Sequence, residues 1–406
     1  MSLQQPPMLS GIKVLDFTQY LAGPTATRLM AELGAEIIKI EQAPGGDPSR
    51  SLPFLKDGRS VYFIQQNRGK KSLCVDFSKP EGIELIRALV PSVDVVIENY
   101  GPGVLEKRGL DYASLKALSP RLIMCSVSAF GRQSPLSHLT GYDYIAQAFS
   151  GIMHMTGDPD GPPRFVGVAI ADGTAGVHAF AALGYALLHR DRTGQGQHID
   201  IAMVDTLYHM QSVEVQMFAA SEGKYKPMRF GIHHYASCPQ GVFKGPQGYL
   251  VILALDRQWP NVTRAMGQPE LATDPRFRSA GRRAKHKGEL IPMIEAWLQS
   301  FSTDEAALQA LAENRVPAGP VLSVEETVTH PYFLARRMVR QVPDPVLGEV
   351  TIPGVPFKFS ASSAELDLRA PLLGEHNDEV LSRHLGQSQE SIAALYEQGV
   401  LHKGER

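Results

Sequence analysis

Cysteine is scarce in this sequence: Cys74, Cys125 and Cys238 are the only three among 406 residues. An odd and widely spaced set makes neither a disulfide framework nor a zinc site, so no metal is expected. An excess of one charge is also missing. Lys and Arg number 40 against 42 Asp and Glu, a formal net charge of −2. A balance this even offers no general attraction to nucleic acid or to an anionic membrane surface, and neither is expected as a partner. Long apolar runs are absent as well. One of the longest, Phe165–Ala171, is about seven residues and is interrupted by Gly167, whereas a membrane span needs about 20. The opening residues Met1–Pro7 carry no basic stretch and no apolar core of a secretory signal, and the expected location is cytoplasmic. The sequence does contain 43% hydrophobic residues, ample for a core. At roughly 100–200 residues per domain, the length predicts two domains or one with a lobe.

The first half alternates between the two periodicities. Ile12–Phe17 reads as a buried strand, Pro24–Leu33 as a helix stopped by Gly34, and Glu36–Glu41 as a second strand. That is a parallel strand–helix–strand unit. Ser78 and Glu81 have capping-box spacing before a helix to about Leu89, and Asp94–Glu98 is the next strand. A helix is expected after the Gly101–Gly103 turn and another after Asp111, followed by a strand over Leu122–Val127. Alternation of this kind predicts an α/β fold with an open, mostly parallel sheet covered on both faces. In such sheets ligands sit beyond the carboxyl ends of the strands, which directs attention to the loops 18–23, 99–103 and 128–131. The middle is more helical, with Val177, Phe180, Ala181, Gly184, Leu187 and Leu188 on one helical spacing from Asp172 to about Arg190. A strand at His198–Ala202 and a helix from Val204 follow. Hairpin-like runs over Gly241–Leu255 and a helical stretch over Leu290–Glu313 suggest a smaller lobe, and a last helix lies near Ser388–Gln398.

Common cofactor signatures fail on inspection. Gly69-Lys-Lys-Ser72 resembles the tail of a phosphate loop, but Ile64 occupies the earlier glycine position and Lys71 stands where Ser or Thr is needed. The glycine pairs 101/103 and 194/196 lack the third glycine of a dinucleotide fingerprint. No G-x-S-x-G elbow is present. What remains is a carboxylate. Asp172 follows an apolar run and precedes Gly173-Thr-Ala-Gly176. The position predicts an acid at a helix N-terminus, ionised by the helix dipole and nearby amides, with glycines leaving room for a bulky group. A plain helix-capping aspartate is the alternative.

Seven ordered blocks add to this reading. They are Leu9-Ser-Gly-Ile-Lys-Val-Leu-Asp-Phe-Thr18, Ala22-Gly-Pro24, Leu33-Gly-Ala-Glu-Ile-Ile-Lys-Ile-Glu41, Asn67-Arg-Gly-Lys-Lys-Ser72, Glu98-Asn-Tyr-Gly-Pro-Gly103, Arg192-Thr-Gly-Gln-Gly-Gln197 and Ala370-Pro-Leu-Leu-Gly-Glu-His376. Across about Leu9 to Leu401 the chain resembles the family III CoA-transferases, which include formyl-CoA:oxalate and carnitine CoA-transferases and the alpha-methylacyl-CoA racemases. The resemblance implies a discontinuous Rossmann-like large domain over 1–210, a smaller α+β domain over 225–325, and a 340–406 segment returning to the large domain. It also implies an interlocked homodimer, with linkers near 205–225 and 325–345 wrapping the partner.

For the chemistry, the resemblance makes Asp172 the nucleophile of an acyl-CoA:carboxylate exchange. The reaction would pass through a mixed anhydride and an aspartyl–CoA thioester, with CoA as substrate and no separate cofactor. It places Tyr20, Leu21 and Ala22 along the thioester, with Leu21 standing where a relative carries Gln. Gln42, Val75, Asn99, Tyr100 and Lys107, with Arg108 adjacent, fall in the adenine and phosphate region. Racemases carry a histidine in a G-H-D motif, whereas this chain reads Gly141-Tyr142-Asp143. A phenol with an ordinary pKa near 10 is a poor replacement for an imidazole, which favours transfer over racemisation. A non-catalytic CoA-binding subunit is a further alternative, against which Asp172 speaks. Arg229, His233 and His234 could meet the second carboxylate of a dicarboxylic acyl group such as succinyl.

Overall fold

The computed structural model describes residues 6–52, 54–361, 366 and 368–404. The chain divides into two units. One comprises Met1–Ile152, Val166–Val215 and Pro331–Arg406, and the other Met153–Phe165 and Gln216–His330. A short stretch, 153–165, thus joins the second unit although the sequence reading leaves it within the first 210 residues.

The first unit is built on a six-stranded sheet. Its strands are β1 (Lys13–Asp16), β2 (Glu36–Gln42), β3 (Lys70–Val75), β4 (Val95–Glu98), β5 (Ile123–Ser128) and β6 (His198–Ala202). All five pairings are parallel, and the spatial order is β3-β2-β1-β4-β5-β6. This is the doubly wound order, which reverses direction between β1 and β4. The strands are apolar on both faces because both are covered. Val14, Ile37, Val95, Ile97, Ile123, Cys125 and Val127 join one core with helices α1 (Ala22–Glu32) and, further along the chain, the long Ile170–Thr193 helix. Leu15, Ile38, Ile40, Val96 and Met124 face a second core, which includes Leu85, Ile86 and Leu89 of α2 (Pro80–Leu89) and Val380, Leu381 and Ile392 from the C-terminal helices.

Three more helices complete the frame of the sheet's active edge: α3 (Asp143–Phe149), α4 (Ile170–Thr193) and α5 (Met203–His209). Strand β3 lies at one edge of the sheet and is held by residues 377–402. The Cys74 amide donates to Asn377 Oδ1 at 2.8 Å, the His402 amide donates to the Cys74 carbonyl at 3.1 Å, and Val75 bridges Leu401. A hairpin of β-structure at Val339–Asp344 and Gly348–Pro353 is tied in by Arg59–Asp344 and Arg340–Glu32 ion pairs at 2.8 and 3.1 Å.

The second unit has a three-stranded antiparallel sheet, Gln240–Lys244, Tyr249–Leu253 and Ala318–Pro320. Phe243, Leu250, Ile252, Trp259, Phe277, Leu290 and Ile294 make its core. It is an α+β lobe. The helical stretch expected over Leu290–Glu313 is two helices, Lys287–Leu298 and Asp304–Glu313, the second capped by Thr303, which accepts the Ala306 amide.

Other local expectations are altered for identifiable reasons. The helix of Pro24 begins two residues earlier, at Ala22, so that Pro24 falls within its first turn, where the missing N–H costs nothing. The Ser78–Glu81 capping box does not form. Pro80 occupies the first helical position, Lys79 is the cap, and the Ser78 hydroxyl donates to Asp76 instead. After Gly101–Gly103 the chain makes only a 3₁₀ turn, Glu106–Arg108, ended by Gly109 at φ 62°. Asp111 does cap its helix, accepting the Ser114 amide at 3.1 Å.

Candidate active site

A cleft of ≈ 180 Å³ opens at the carboxyl ends of β1, β4 and β5, where the strand order reverses. The loop after β1 contributes Gln19–Ala22, the loop after β4 Asn99–Pro102, and the end of β5 Ser128 and Ala129. Leu139–Tyr142, Asp172 and Met203 close it. Five of the expected contact residues therefore come together with Asp172: Tyr20, Leu21, Ala22, Asn99 and Tyr100. Among the described residues, no Lys, Arg or His lines the cleft.

The β1 loop is held from beneath. Lys39, fully buried, donates to the Thr18 carbonyl at 2.6 Å and pairs with Asp47 at 2.8 Å. Asp16 accepts the Thr18 amide at 2.8 Å and pairs with Lys70 at 2.8 Å. Burial acts to raise the Asp16 pKa, but Lys70 and Lys39 outweigh it and bring the value down to about 2. Burial draws the Lys70 ammonium down to about 8. The Gly69-Lys-Lys-Ser72 segment is accordingly framework, with Lys70 on Asp16 and Ser72 on Glu41. At the loop's crest Tyr20 sits at φ 62°, a left-handed conformation that an L residue adopts only under constraint.

Asn99 supplies part of that constraint. Its Oδ1 accepts the Gln19 amide at 2.7 Å and its Nδ2 donates to the Gln19 carbonyl at 2.8 Å. Gln19 Nε2 in turn donates to the Tyr100 hydroxyl at 2.9 Å. The side chain of Asn99 is thus spent on the loop. The remaining expected contacts lie on the same edge of the sheet but outside the cleft. Gln42 ends β2, donating to Asp76 at 2.8 Å, and Val75 ends β3 with its side chain in the core. Arg108 donates to the carbonyls of Phe77 and Val104 at 3.1 and 2.7 Å, and Lys107 beside it is exposed.

Asp172 lies at a helix N-terminus as expected, but it is not the cap and its charge state differs. The cap of α4 is Ala169, so Asp172 stands in the third helical position, inside the first turn. Its carboxyl is not held ionised by the dipole. Burial first, and the carboxylate of Asp143 second, push its pKa up to about 7. Burial also raises the Tyr62 phenol, with the negative charges of Asp172 and Asp47 adding to the effect, which places Tyr62 near the same group. Tyr20 and Tyr142 meet edge to face, ring centroids 6.4 Å apart, at the cleft.

The local packing explains why the helix start lies here. Gly176, one turn after Asp172, is where α4 crosses α1. A Cβ there would fall 2.5 Å from the Ala22 carbonyl oxygen and from Thr25 Cβ. Gly23 likewise gives way to the Thr18 side chain. The Ala22-Gly-Pro24 and Asp172-to-Gly176 blocks are therefore two sides of one contact.

Sequence reasoning missed Asp143 and Gln147. Asp143 is 7% exposed, and its signal was the i, i+4 spacing that sets the two side chains on one face of α3. Arg229, His233 and His234 belong to the second unit, where Arg229 donates to the carbonyls of His154 and Asp158 at 2.8 and 3.3 Å.

Residues 9–377 match the model of CoA-transferase family III. The chain belongs to that family. It is 36% identical over 407 residues to a succinyl-CoA–D-citramalate CoA-transferase of Chloroflexus aurantiacus, a match that covers 99% of this chain and 100% of that protein. It is 38% identical over 386 residues to a succinate–glutarate CoA-transferase of Agrobacterium fabrum, covering 93% and 95%. Among solved structures, a CaiB/BaiF family protein from Brucella suis superposes with a TM-score of 0.84 at 36% identity, covering 94% of this chain and 100% of that one. The protein is a CoA-transferase, acting on an acyl-CoA and a carboxylic acid. Among the described residues no helix is long and apolar enough to cross a membrane, and no cluster of three or more His, Cys, Asp or Glu residues could hold a metal ion.

Proposed function

We propose that this CoA-transferase works through covalent catalysis on Asp172. The observation that carries the reading is the placement of that carboxyl in the cleft at the strand-order reversal, opposite the Tyr20–Ala22 loop. An Asp172 oxygen attacks the carbonyl carbon of the donor thioester, the C–S bond breaks, and CoA leaves as thiolate. The thiolate then attacks the aspartyl carbonyl of the mixed anhydride, releasing the donor acid as its carboxylate. The acceptor carboxylate opens the resulting aspartyl–CoA thioester, and the thiolate takes the new acyl group and restores Asp172. Two easier steps replace each difficult one.

Two features support the chemistry. A carboxyl with a pKa of about 7 is partly ionised at neutral pH and is more basic, hence a better nucleophile, than an exposed one. The cap of α1, Leu21, has no side-chain oxygen to accept from the helix's first-turn amides, which leaves them available beside the cleft that Leu21 and Ala22 line, where a thioester oxyanion would develop. The nucleotide end of CoA is assigned to the edge marked by Gln42, Val75, Lys107 and Arg108. The names of the two relatives favour dicarboxylic substrates, with succinyl-CoA as the first donor to test.

The assembly we assign is a homodimer of the interlocked type. The support is the apolar outer face of α4, where Val177, Tyr185 and Leu188 are 49%, 75% and 45% exposed. The location we assign is cytoplasmic, which is consistent with intracellular CoA thioesters as substrates.

The test is Asp172→Ala, which abolishes transfer and, in intact-protein mass spectra, the CoA adduct that wild type accumulates with donor alone. Turnover by a well-folded Asp172→Ala protein defeats the mechanism. The racemase reading is tested with a 2-methylacyl-CoA in deuterated water. Tyr142 fills the position that would carry the second base, and no exchange at the alpha carbon is expected.

A further inference from the structure

The group that shapes Asp172 most directly is a second acid that no part of the exchange consumes. Asp143 is the first residue of α3 and is 7% exposed. Its Oδ1 accepts the backbone N–H of Ala171 at 2.7 Å and that of Asp172 itself at 3.1 Å. Its Oδ2 accepts Gln147 Nε2 at 2.6 Å. Gln147 is fully buried, and its Oε1 accepts the Val166 amide at 2.9 Å, gripping the chain that leads into α4. Both oxygens of Asp143 therefore act only as acceptors, and two of their three partners are amides at the start of the nucleophile's helix. Ala169, the cap of α4, has no side-chain oxygen to serve those amides, and Asp143 supplies it from another helix.

We propose that Asp143 is a positioning residue for the Asp172 nucleophile: it fixes the first turn of α4 through two amides and keeps a second negative charge beside the reacting carboxyl. This rests on the reading of Asp172 as nucleophile. An ordinary helix cap is satisfied by a neutral oxygen, and Ser, Thr or Asn serve. A buried carboxylate pointed at a neighbouring acid instead makes that acid hold its proton more tightly. Burial and Asp143 are the two causes that lift Asp172 to about 7. Among the described residues, the other ionisable groups lining the cleft are phenols, Tyr20 from the β1 loop, Tyr100 from the loop after β4 and Tyr142 from the segment before α3, and Tyr62 of the Val61–Asn67 helix is near enough for Asp172 to act on it. Among the described residues, α1, α5 and β5 contribute no charged side chain to the cleft lining.

The consequence for catalysis has a definite sign. Attack requires ionised Asp172, so the donor half-reaction rises with pH through the pKa of that group. Removing the Asp143 charge lowers that pKa, moves the acid limb to lower pH, and leaves a less basic, weaker nucleophile at the plateau. A purely structural cap would change stability and leave the limb in place.

The test is Asp143→Asn, which keeps the capping oxygen and removes the charge. Asp172 is read directly as the difference in infrared carboxyl absorption between each protein and the same protein carrying Asp172→Asn, across pH 4–9. In wild type the midpoint is expected near 7. In Asp143→Asn it falls by about one pH unit or more, and the acid limb of the transfer rate moves with it. The new amide would face the Gln147 donor, so D143N/Q147E is measured alongside. That double variant restores the hydrogen-bond pattern with the charge one bond further out, and an intermediate midpoint is expected. A wild-type midpoint near 4, or unchanged midpoints in either folded variant, overturns the proposal. Retained turnover by Asp172→Ala would instead defeat the nucleophile reading, a separate outcome.

Discussion

Gly176 and Ala22 set the distance between the two halves of the active cleft: the α4 backbone at Gly176 packs so closely on the Ala22 carbonyl that even a methyl group has no room. The thioester loop leads into one helix and the nucleophile sits one turn from the crossing on the other.

Gly176→Ala is therefore expected to push the helices apart at the cleft. Overpacking of this kind costs about 1–3 kcal/mol. The loss in kcat/KM should exceed what the fall in melting temperature implies, because Asp172 moves with the helix. Thermal melts beside steady-state kinetics check this, and a variant with wild-type kcat/KM would show that the spacing is not critical.

Stability should depend on pH through Asp172. Its pKa is about 7 in the fold against an ordinary value of 3.8. The folded state holds the proton more tightly, so the group's favourable contribution is complete below pH about 4 and is lost as pH rises through 7. At alkaline pH the buried anion costs on the order of 4 kcal/mol. Asp172→Asn, neutral throughout, should gain on wild type between pH 5 and 8 by a few degrees in Tm. Parallel melting curves across that range would reveal no such gap if the carboxyl were ordinary.

Asn99→Ala removes both hydrogen bonds that hold Gln19. Each unpaired backbone group costs about 1–3 kcal/mol where water cannot replace the bond. A fall of about tenfold or more in kcat/KM for the acyl-CoA is expected. Asn99→Asp, which keeps only the acceptor, should fall between the two in the same assay.

Lys39→Met leaves Asp47 and Asp16 short of a buried partner and releases the Thr18 carbonyl. Breaking a buried pair from one side costs about 3–5 kcal/mol. Urea unfolding midpoints measure it, and an unchanged midpoint would mean the network carries no stability. The double variant Lys39→Met/Asp47→Leu should recover part of the loss.

Much of this architecture is legible in the residues. Short continuous apolar runs and intervening helices give the parallel sheet, and the loops 18–23, 99–103 and 128–131 do meet at its carboxyl edge. Two kinds of fact were hidden. Local cap rules compete with one another, and Pro80 decides the start of α2 over Ser78. Long-range partners have no signature: Asp143 serves amides 28 and 29 residues away. For that reason the charge state of Asp172 was misjudged from its own neighbourhood, where the helix dipole favours ionisation. The competing acid comes from another helix. Asn99 illustrates the same gap, since a residue type suited to a ligand is fully engaged by the backbone of Gln19.

The clasp on β3 bears on the order in which the molecule is made. The outer edge of the sheet is satisfied by Asn377, Leu401 and His402, all of them made long after β3 itself. Until they emerge, that strand presents open amides and carbonyls, a template for pairing with other chains. The smaller lobe, complete by residue 330, is free to fold while the larger one waits. Chains ending before Asn377 would keep every cleft residue yet carry an unprotected strand edge, and their fate would be set by aggregation rather than by chemistry.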